Sequence, residues 1–212
     1  MIPVRTPFFL PLVYPSLVWR VPTREKVMYL TFDDGPVGGP TDFVLETLKR
    51  HGSSATFFCI GDNIRKHPDI FDAVVAGGHV AGNHTFNHLN GWSTPFDQYL
   101  DNVDLCRQEI EQRCPTPSNK KMFFRPPYGK ISFRAIRALR DYRIIMWDVL
   151  TRDFDASLSK ELCLQRSISY ARSGSVIIFH DSYKAERNLQ YVLPRFMEHF
   201  LEKGFLFKPL PQ

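Results

Sequence analysis

The sequence predicts an α/β fold: a distorted, incomplete (β/α) barrel with about seven parallel strands in a single domain. Three observations carry this. Short apolar runs of strand length alternate with amphipathic helical patterns along most of the 212 residues, as in parallel sheets covered by helices. Several runs, such as Val27-Met28-Tyr29-Leu30, are apolar throughout, as strands buried on both faces are. Polar residues of unusual type then fall just after the runs, at the strand ends where βα barrels keep their chemistry. An open doubly wound sheet is the alternative.

The elements follow in order. The first strand covers about residues 26–32. Thr41 is positioned to cap a helix that carries Val44, Leu45 and Leu48 inward and stops at Gly52. A second strand covers 55–60, a short helix 69–76 is stopped by Gly77-Gly78, and 79–82 form a third strand. Thr94-Pro95 starts a longer helix with proline in its first turn, and Tyr99, Val103, Cys106 and Ile110 form its inward face. A fourth strand at 122–124 precedes a basic helix at 132–142 and a fifth strand at 143–149. Ser157 or Ser159 caps the next helix, which ends near Gly174, and 175–179 form a sixth strand. Leu189, Leu193, Phe196, Met197 and Phe200 mark an amphipathic last helix stopped by Gly204, with a seventh strand at 205–207. No internal repeat or linker divides the chain. Residues 1–25 read as an extension packed on a single domain, 26–212.

Lys plus Arg number 27 and Asp plus Glu 22, a net charge of +5. The excess is spread along the chain without a basic stripe, so nucleic acid is not an expected partner. Cys59, Cys106, Cys114 and Cys163 form no Cys-x-x-Cys pair, which argues against a zinc knuckle, and nothing demands disulfides. Pro3, Pro7, Pro11 and Pro15 interrupt the apolar N-terminus, each costing ~3 kcal/mol inside a helix. Neither a membrane-spanning helix nor a signal peptide is expected there. The expectation is a cytoplasmic protein, with contact at a membrane surface the minority reading. Phe8, Phe9, Tyr14 and Trp19 are expected to pack on the domain.

The stretch with most chemistry in it is Thr31-Phe32-Asp33-Asp34-Gly35-Pro36. Adjacent carboxylates at a strand end repel unless a cation or a shared proton relieves them. A metal is therefore expected, with histidines as its other ligands. His84 and His88 lie four apart in Asn83-His84-Thr85-Phe86-Asn87-His88, and on a helical turn both rings would face one ion. Arg125-Pro126-Pro127-Tyr128-Gly129 follows the fourth strand, Asp148 and Asp153 the fifth, and His180-Asp181 the sixth. All are expected at one mouth of the barrel, although Asp148 would equally serve as a cap to its own turn. Two imidazoles and one carboxylate leave open coordination positions, as catalytic zinc sites do. His51, His67, His79 and His199 lack such surroundings and read as surface or structural.

Taken together, TFDDGP (31–36), NHTFNH (83–88), RPPYG (125–129), WDVLTRDF (147–154) and IIFHD (177–181) resemble the polysaccharide deacetylases, carbohydrate esterase family four. The resemblance implies a distorted (β/α) barrel. It implies Asp33 as general base, Asp34, His84 and His88 as ligands of a divalent metal, and Arg125 as the group positioning the base. Zinc is the usual metal, with cobalt, nickel or manganese in relatives. The backbone N–H of Tyr128 would help hold the oxyanion, and Asp153 would orient His180, the general acid. Pro127 belongs to the same substrate-binding stretch. Phe154 and Phe179 stand where relatives often carry Trp and Leu, and both are expected to line the acetyl pocket. The implied activity is removal of N-acetyl groups from N-acetylglucosamine-containing oligo- or polysaccharide, of the chitooligosaccharide or peptidoglycan type. An O-acetyl xylan-type esterase and an inactive metal-bearing carbohydrate-binding protein are the alternatives. A non-haem iron oxygenase shares the triad, but Asp33 and His180 are groups that hydrolysis needs and oxygen activation does not.

Overall fold

A computed structural model describes residues 4–212. Eight strands, β1 (Val27–Asp33), β2 (Thr56–Cys59), β3 (Val80–Asn83), β4 (Phe123–Phe124), β5 (Arg143–Ile144), β6 (Val149–Leu150), β7 (Val176–His180) and β8 (Leu206–Phe207), form the sheet. Seven of them run β5-β4-β3-β2-β1-β7-β6 in parallel and curl into an open barrel, and β8 adds to the start of β1. Eight helices cover it: α1 (Leu10–Val13), α2 (Pro40–Arg50), α3 (Gly61–Lys66), α4 (Pro68–Ala76), α5 (Phe96–Arg113), α6 (Phe133–Ala138), α7 (Lys160–Tyr170) and α8 (Glu186–Leu201). No helix of the described residues is long and apolar enough to cross a membrane.

Strand alternation sorts the side chains. On β1, Met28, Leu30 and Phe32 belong to the large core under the helices, while Val27 and Tyr29 belong to the barrel interior with Phe58, Phe123 and Val176. Thr31 and Asp33 continue that interior face. On β7, Ile177 and Phe179 join the helix-side core, which leaves Ile178 and His180 facing inward. The register aligns the strand ends: Asp33 pairs with Phe58 and His180, Cys59 with Asn83, and Asn83 with Phe124. The residues that follow, Asp34, His84 and Arg125, are thereby delivered to one mouth.

Several elements differ from the sequence expectation. The run at 143–149 is two strands on opposite edges, because the chain crosses the barrel's opening between them. The N-terminal segment covers that opening. Val18 bridges Ile145 beside β5, Arg5 bridges Val149 in β6, and Leu150 donates to the Val4 carbonyl. Ile145 and Met146 are consequently buried, so the run reads as continuous. Trp19, Leu17 and Val4 do the packing, and Tyr14 stacks on Phe133 at 4.9 Å between ring centroids. Phe8 and Phe9 do not pack as expected. They are 85 % and 49 % exposed, edge to face with each other on the approach to α1. Pro3 lies outside the described residues.

Thr41 is not a cap. Helix α2 opens at Pro40 behind Gly39, whose N–H donates to Asp42, and the Thr41 hydroxyl accepts from Val37 N–H. Helix α3 follows β2 at once and was hidden by its polar composition. Pro95 precedes α5 rather than lying in its first turn. Ser132 and Ser159 do cap α6 and α7, each accepting from the backbone N–H three residues on. The four cysteines are free.

Candidate active site

Asp33 and Asp34 end β1 but meet different partners. Asp33 points inward and is buried against Arg125, whose Nη1 donates to it at 2.6 Å and to Thr31 Oγ1 at 2.8 Å. The guanidinium spends its other donors on the carbonyls of Ile145 and Met146, and lies 4.0 Å from the centroid of the Phe58 ring. Burial lowers the Arg125 pKa against the pull of Asp33. A buried ion pair whose guanidinium is hydrogen-bonded through each of its nitrogens is rigid, and removal of one partner leaves the other charge buried.

Asp34 turns the other way because its backbone is left-handed, φ +81°. Its Oδ1 is buried without a hydrogen-bond partner, 3.2 Å from Nε2 of His88 and 3.7 Å from Nε2 of His84. One ligand atom from each of these residues lies within 4.8 Å of the others. Each imidazole is fixed from its far side: His84 Nδ1 is 2.8 Å from the Arg125 carbonyl, and His88 Nδ1 is 3.1 Å from the Tyr128 hydroxyl. The carbonyl accepts only from a protonated Nδ1, so the Nε2 of neutral His84 presents a lone pair towards Asp34. Burial pushes His84 down to about 4, even though Asp33 and Asp34 pull it up, so the ring is neutral near pH 7. Burial would raise Asp34, but the close approach of the His88 ring, and after it the proximity of His180 and His84, hold it well below the carboxylate range. An imidazole lone pair aimed at an unpaired carboxylate oxygen is unfavourable by itself and is what a divalent cation requires. The three residues fit one.

The histidines are not on a helical turn. Residues 84–88 form a loop in which Thr85 and His88 take φ of +65° and +56°. Asn102 of α5 clamps it, accepting from Phe86 and Asn87 N–H at 2.9 Å each and donating to Asn87 Oδ1. Asn83 accepts from Thr85 N–H at 2.8 Å. Asn102 and Thr31 were missed from sequence. Their only signal was a polar residue on an otherwise apolar face.

His180 ends β7 opposite Asp33. Asp153 holds it through Nδ1 at 2.8 Å and its backbone N–H at 2.8 Å. Burial would lower the imidazole, but the Asp153 charge and hydrogen bond, with Asp34 and Asp33 behind, raise it to about 9. Asp181 faces away from the mouth. It accepts from Gly35 N–H at 3.1 Å and from Thr41 Oγ1 at 2.7 Å, and so ties down the turn that follows the two acids. A Cβ at Gly35 would collide with that carboxylate. Burial foremost, then the charge of Asp34, pushes Asp181 up to about 8.

A cleft of about 460 Å³ joins these groups, lined also by Tyr128, Lys130, Trp147, Leu150, Phe154 and Lys184. Phe154 lies edge-on to His180, 4.8 Å between centroids. Three expected positions are corrected. Phe179 is fully buried between Phe32 and Phe196 and lines nothing; Ile178 takes that place. The alternation counted back from His180 would have found it. Pro127 is buried and does not line the cleft, whereas Pro126 does. Asp148 precedes β6 and lies at the far end of the strands, accepting from Ser175 and Arg172. Tyr128 has φ +60°, and its N–H makes no hydrogen bond among the described residues. Gly129 is required because a Cβ there would strike the Trp147 ring.

Comparison with known proteins places the chain. Residues 20–147 match the family model for polysaccharide deacetylase. The chain belongs to the polysaccharide deacetylase family. It is 29% identical over 194 residues to a peptidoglycan-N-acetylglucosamine deacetylase of Bacillus cereus, covering 90% of this chain and 89% of the relative. It is 29% identical over 209 residues to a chitooligosaccharide deacetylase of Azorhizobium caulinodans, covering 91% and 96%. The fold is similar to a crystal structure of a peptidoglycan N-acetylglucosamine deacetylase bound to a benzamide compound, with a TM-score of 0.86, 29% identity, and 97% and 95% of the two chains covered.

Proposed function

We propose that the protein hydrolyses N-acetyl groups from N-acetylglucosamine-containing oligo- or polysaccharide, releasing acetate. The observation that carries the reading is the placement of three separate devices on one cleft: the Asp34–His84–His88 triad, the Asp33–Arg125 pair and the His180–Asp153 pair. An amide needs an activated water, a polarised carbonyl and a protonated leaving nitrogen. A divalent ion held by Asp34, His84 and His88, zinc by the chemistry of the donor set, would supply Lewis acidity at the carbonyl and acidify a bound water. Asp33 is the base. Arg125 fixes it at one oxygen and leaves the other to take a proton from the attacking water. The unpartnered Tyr128 N–H is a donor for the developing oxyanion. His180, protonated at neutral pH and aimed by Asp153, gives its proton to the departing sugar nitrogen. Phe154 packs against that ring and excludes water from it.

The test separates the two acids. Asp34→Ala and His84→Ala are expected to lose bound metal, since two ligands hold an ion poorly. Asp33→Asn is expected to keep metal while losing ~10²–10⁴ in rate. Metal content by elemental analysis is read beside acetate release from chitooligosaccharide, peptidoglycan fragments and acetyl-xylan. Metal-replete wild-type protein that releases no acetate from any of them overturns the reading. Preferential release from acetyl-xylan replaces it with the O-acetyl esterase.

A further inference from the structure

Four large apolar residues of the N-terminal segment stay in solvent. Phe8 and Phe9 are followed by Leu12, 75 % exposed, and Val13, 52 % exposed. The segment that carries them is nevertheless tied down. Leu10 and Tyr14 pack on the cluster that holds Ala135 of α6 and Ile144 of β5. Val13 N–H donates to the Phe9 carbonyl at 3.1 Å and Tyr14 N–H to the Leu10 carbonyl at 2.9 Å, and the Trp19 indole donates to the Tyr14 carbonyl at 3.2 Å. Helix α1 is thus a fixed knuckle with one face in the protein and the other bare. Phe133 of α6, 57 % exposed and stacked on Tyr14, extends the bare face. An ordered apolar surface of this kind marks a contact with a partner.

The charges around the knuckle narrow the choice of partner. Beside it is a cavity of about 870 Å³, lined by Phe8 and Pro11 and by Arg5, Arg20, Arg143 and Arg172. Its one acid, Asp148, is shared by Arg5 and Arg172. Arg20 and Arg143 donate instead to the carbonyls of Ser173 and Pro211, which hold the guanidinium groups without neutralising them. On the α6 side Arg134, Arg137 and Arg140 are exposed. No Asp or Glu occurs in 4–22 or in 130–140. Seven arginines against Asp141 and Asp148 leave an excess of five, as much as the net charge of the whole chain. A second copy of the chain would set arginines against arginines. An anionic bilayer answers both features, because acyl chains accept the knuckle and phosphates accept the guanidinium groups. The cavity and the candidate active-site cleft share no lining residue, so this face is free to dock with the mouth open.

We infer that this face docks on the surface of an anionic phospholipid bilayer, with Phe8, Phe9, Leu12 and Val13 entering between the headgroups and the surrounding arginines taking their phosphates. The inference is independent of the deacetylase reading. The full chain is sedimented with vesicles of two parts phosphatidylcholine to one part phosphatidylglycerol, and with vesicles of phosphatidylcholine alone. Binding is expected to the anionic vesicles only, and it should weaken as salt is raised. Phe8→Ser and Leu12→Ser should each weaken it about tenfold, and Arg137→Gln and Arg140→Gln about fivefold each. Lys49→Gln, an equal loss of charge on α2, should leave it unchanged. All five side chains are exposed, so the fold is expected to survive, and the Tm of each variant checks this. In Phe8→Trp, the emission added to that of the native tryptophans should shift to the blue on anionic vesicles, as it does when a ring leaves water. No sedimentation with anionic vesicles overturns the inference. So does binding that ignores Phe8→Ser and Leu12→Ser, or that Lys49→Gln weakens as much as Arg137→Gln, since adsorption would then be a matter of net charge. Self-association without vesicles that Phe8→Ser abolishes would assign the face to a second copy and overturn it as well.

Discussion

The His180 ring is held protonated by Asp153 against the burial that would discharge it. Its pKa of about 9 lies above the ordinary 6.5, so the pair stabilises the fold fully below pH 6.5 and loses that contribution as pH rises through about 9. The shift is worth about 3 kcal/mol. Asp153→Asn should therefore lower stability near neutral pH by up to about 3 kcal/mol and leave it little changed above pH 9–10. It should also move the alkaline limb of activity to lower pH, because a neutral imidazole has no proton to give. A cation bound at Asp34 would repel the imidazolium, so the limb in loaded protein is expected below the titration seen in metal-free protein. NMR titration of His180 beside a pH–rate profile checks both. An alkaline limb indifferent to Asp153→Asn would show that another group donates the proton.

At the scale of elements, the loop between β3 and α5 is the feature that sequence periodicity misread. Spacing of four is shared by a helical turn and by a compact loop with two left-handed residues. Here Thr85 and His88 each carry ~1–3 kcal/mol of backbone strain, and the three Asn102 hydrogen bonds hold it. Asn102→Ala is expected to cost roughly 2–3 kcal/mol and to weaken metal binding, although Asn102 is not among the candidate ligands. A Tm measurement beside a metal titration decides it, and lower Tm with unchanged metal affinity would mean the loop is held elsewhere. The strand–helix alternation was legible because buried parallel strands are apolar on both faces. The family resemblance, and not the alternation, put Phe179 in the pocket; Ile178, two residues back from His180 on the same face of β7, lines it instead. The residues of the Asp34–His84–His88 cluster were legible because acids and imidazoles at strand ends are uncommon. Their supports, Thr31, Asn102 and Asp181, were less so, since a polar side chain with a role looks like any other until its partner is placed.

On the scale of the whole molecule, β1 is the axis: the triad lies towards β3 and β4, and the protonated histidine towards β7. The opening between β5 and β6 is the weak side of such a sheet, because both of its edges carry unpaired backbone groups. The segment from Val4 to Trp19 satisfies them, and the burial of Val4, Leu17 and Trp19 adds about 1.5–3 kcal/mol each. Removal of residues 1–19 is therefore expected to drive the protein into larger assemblies while the triad, on the far strands, keeps its ligands. Light scattering beside a metal titration would show this, and a monodisperse truncated protein would refute it. The segment makes backbone pairings at both of its ends but belongs to no sheet strand of its own, so covalent continuity is not needed for it to act. A synthetic peptide covering 4–20, added to the truncated chain, should zip into the seam and return it to the size of the full-length protein, making this protein a two-piece system that reassembles by strand donation.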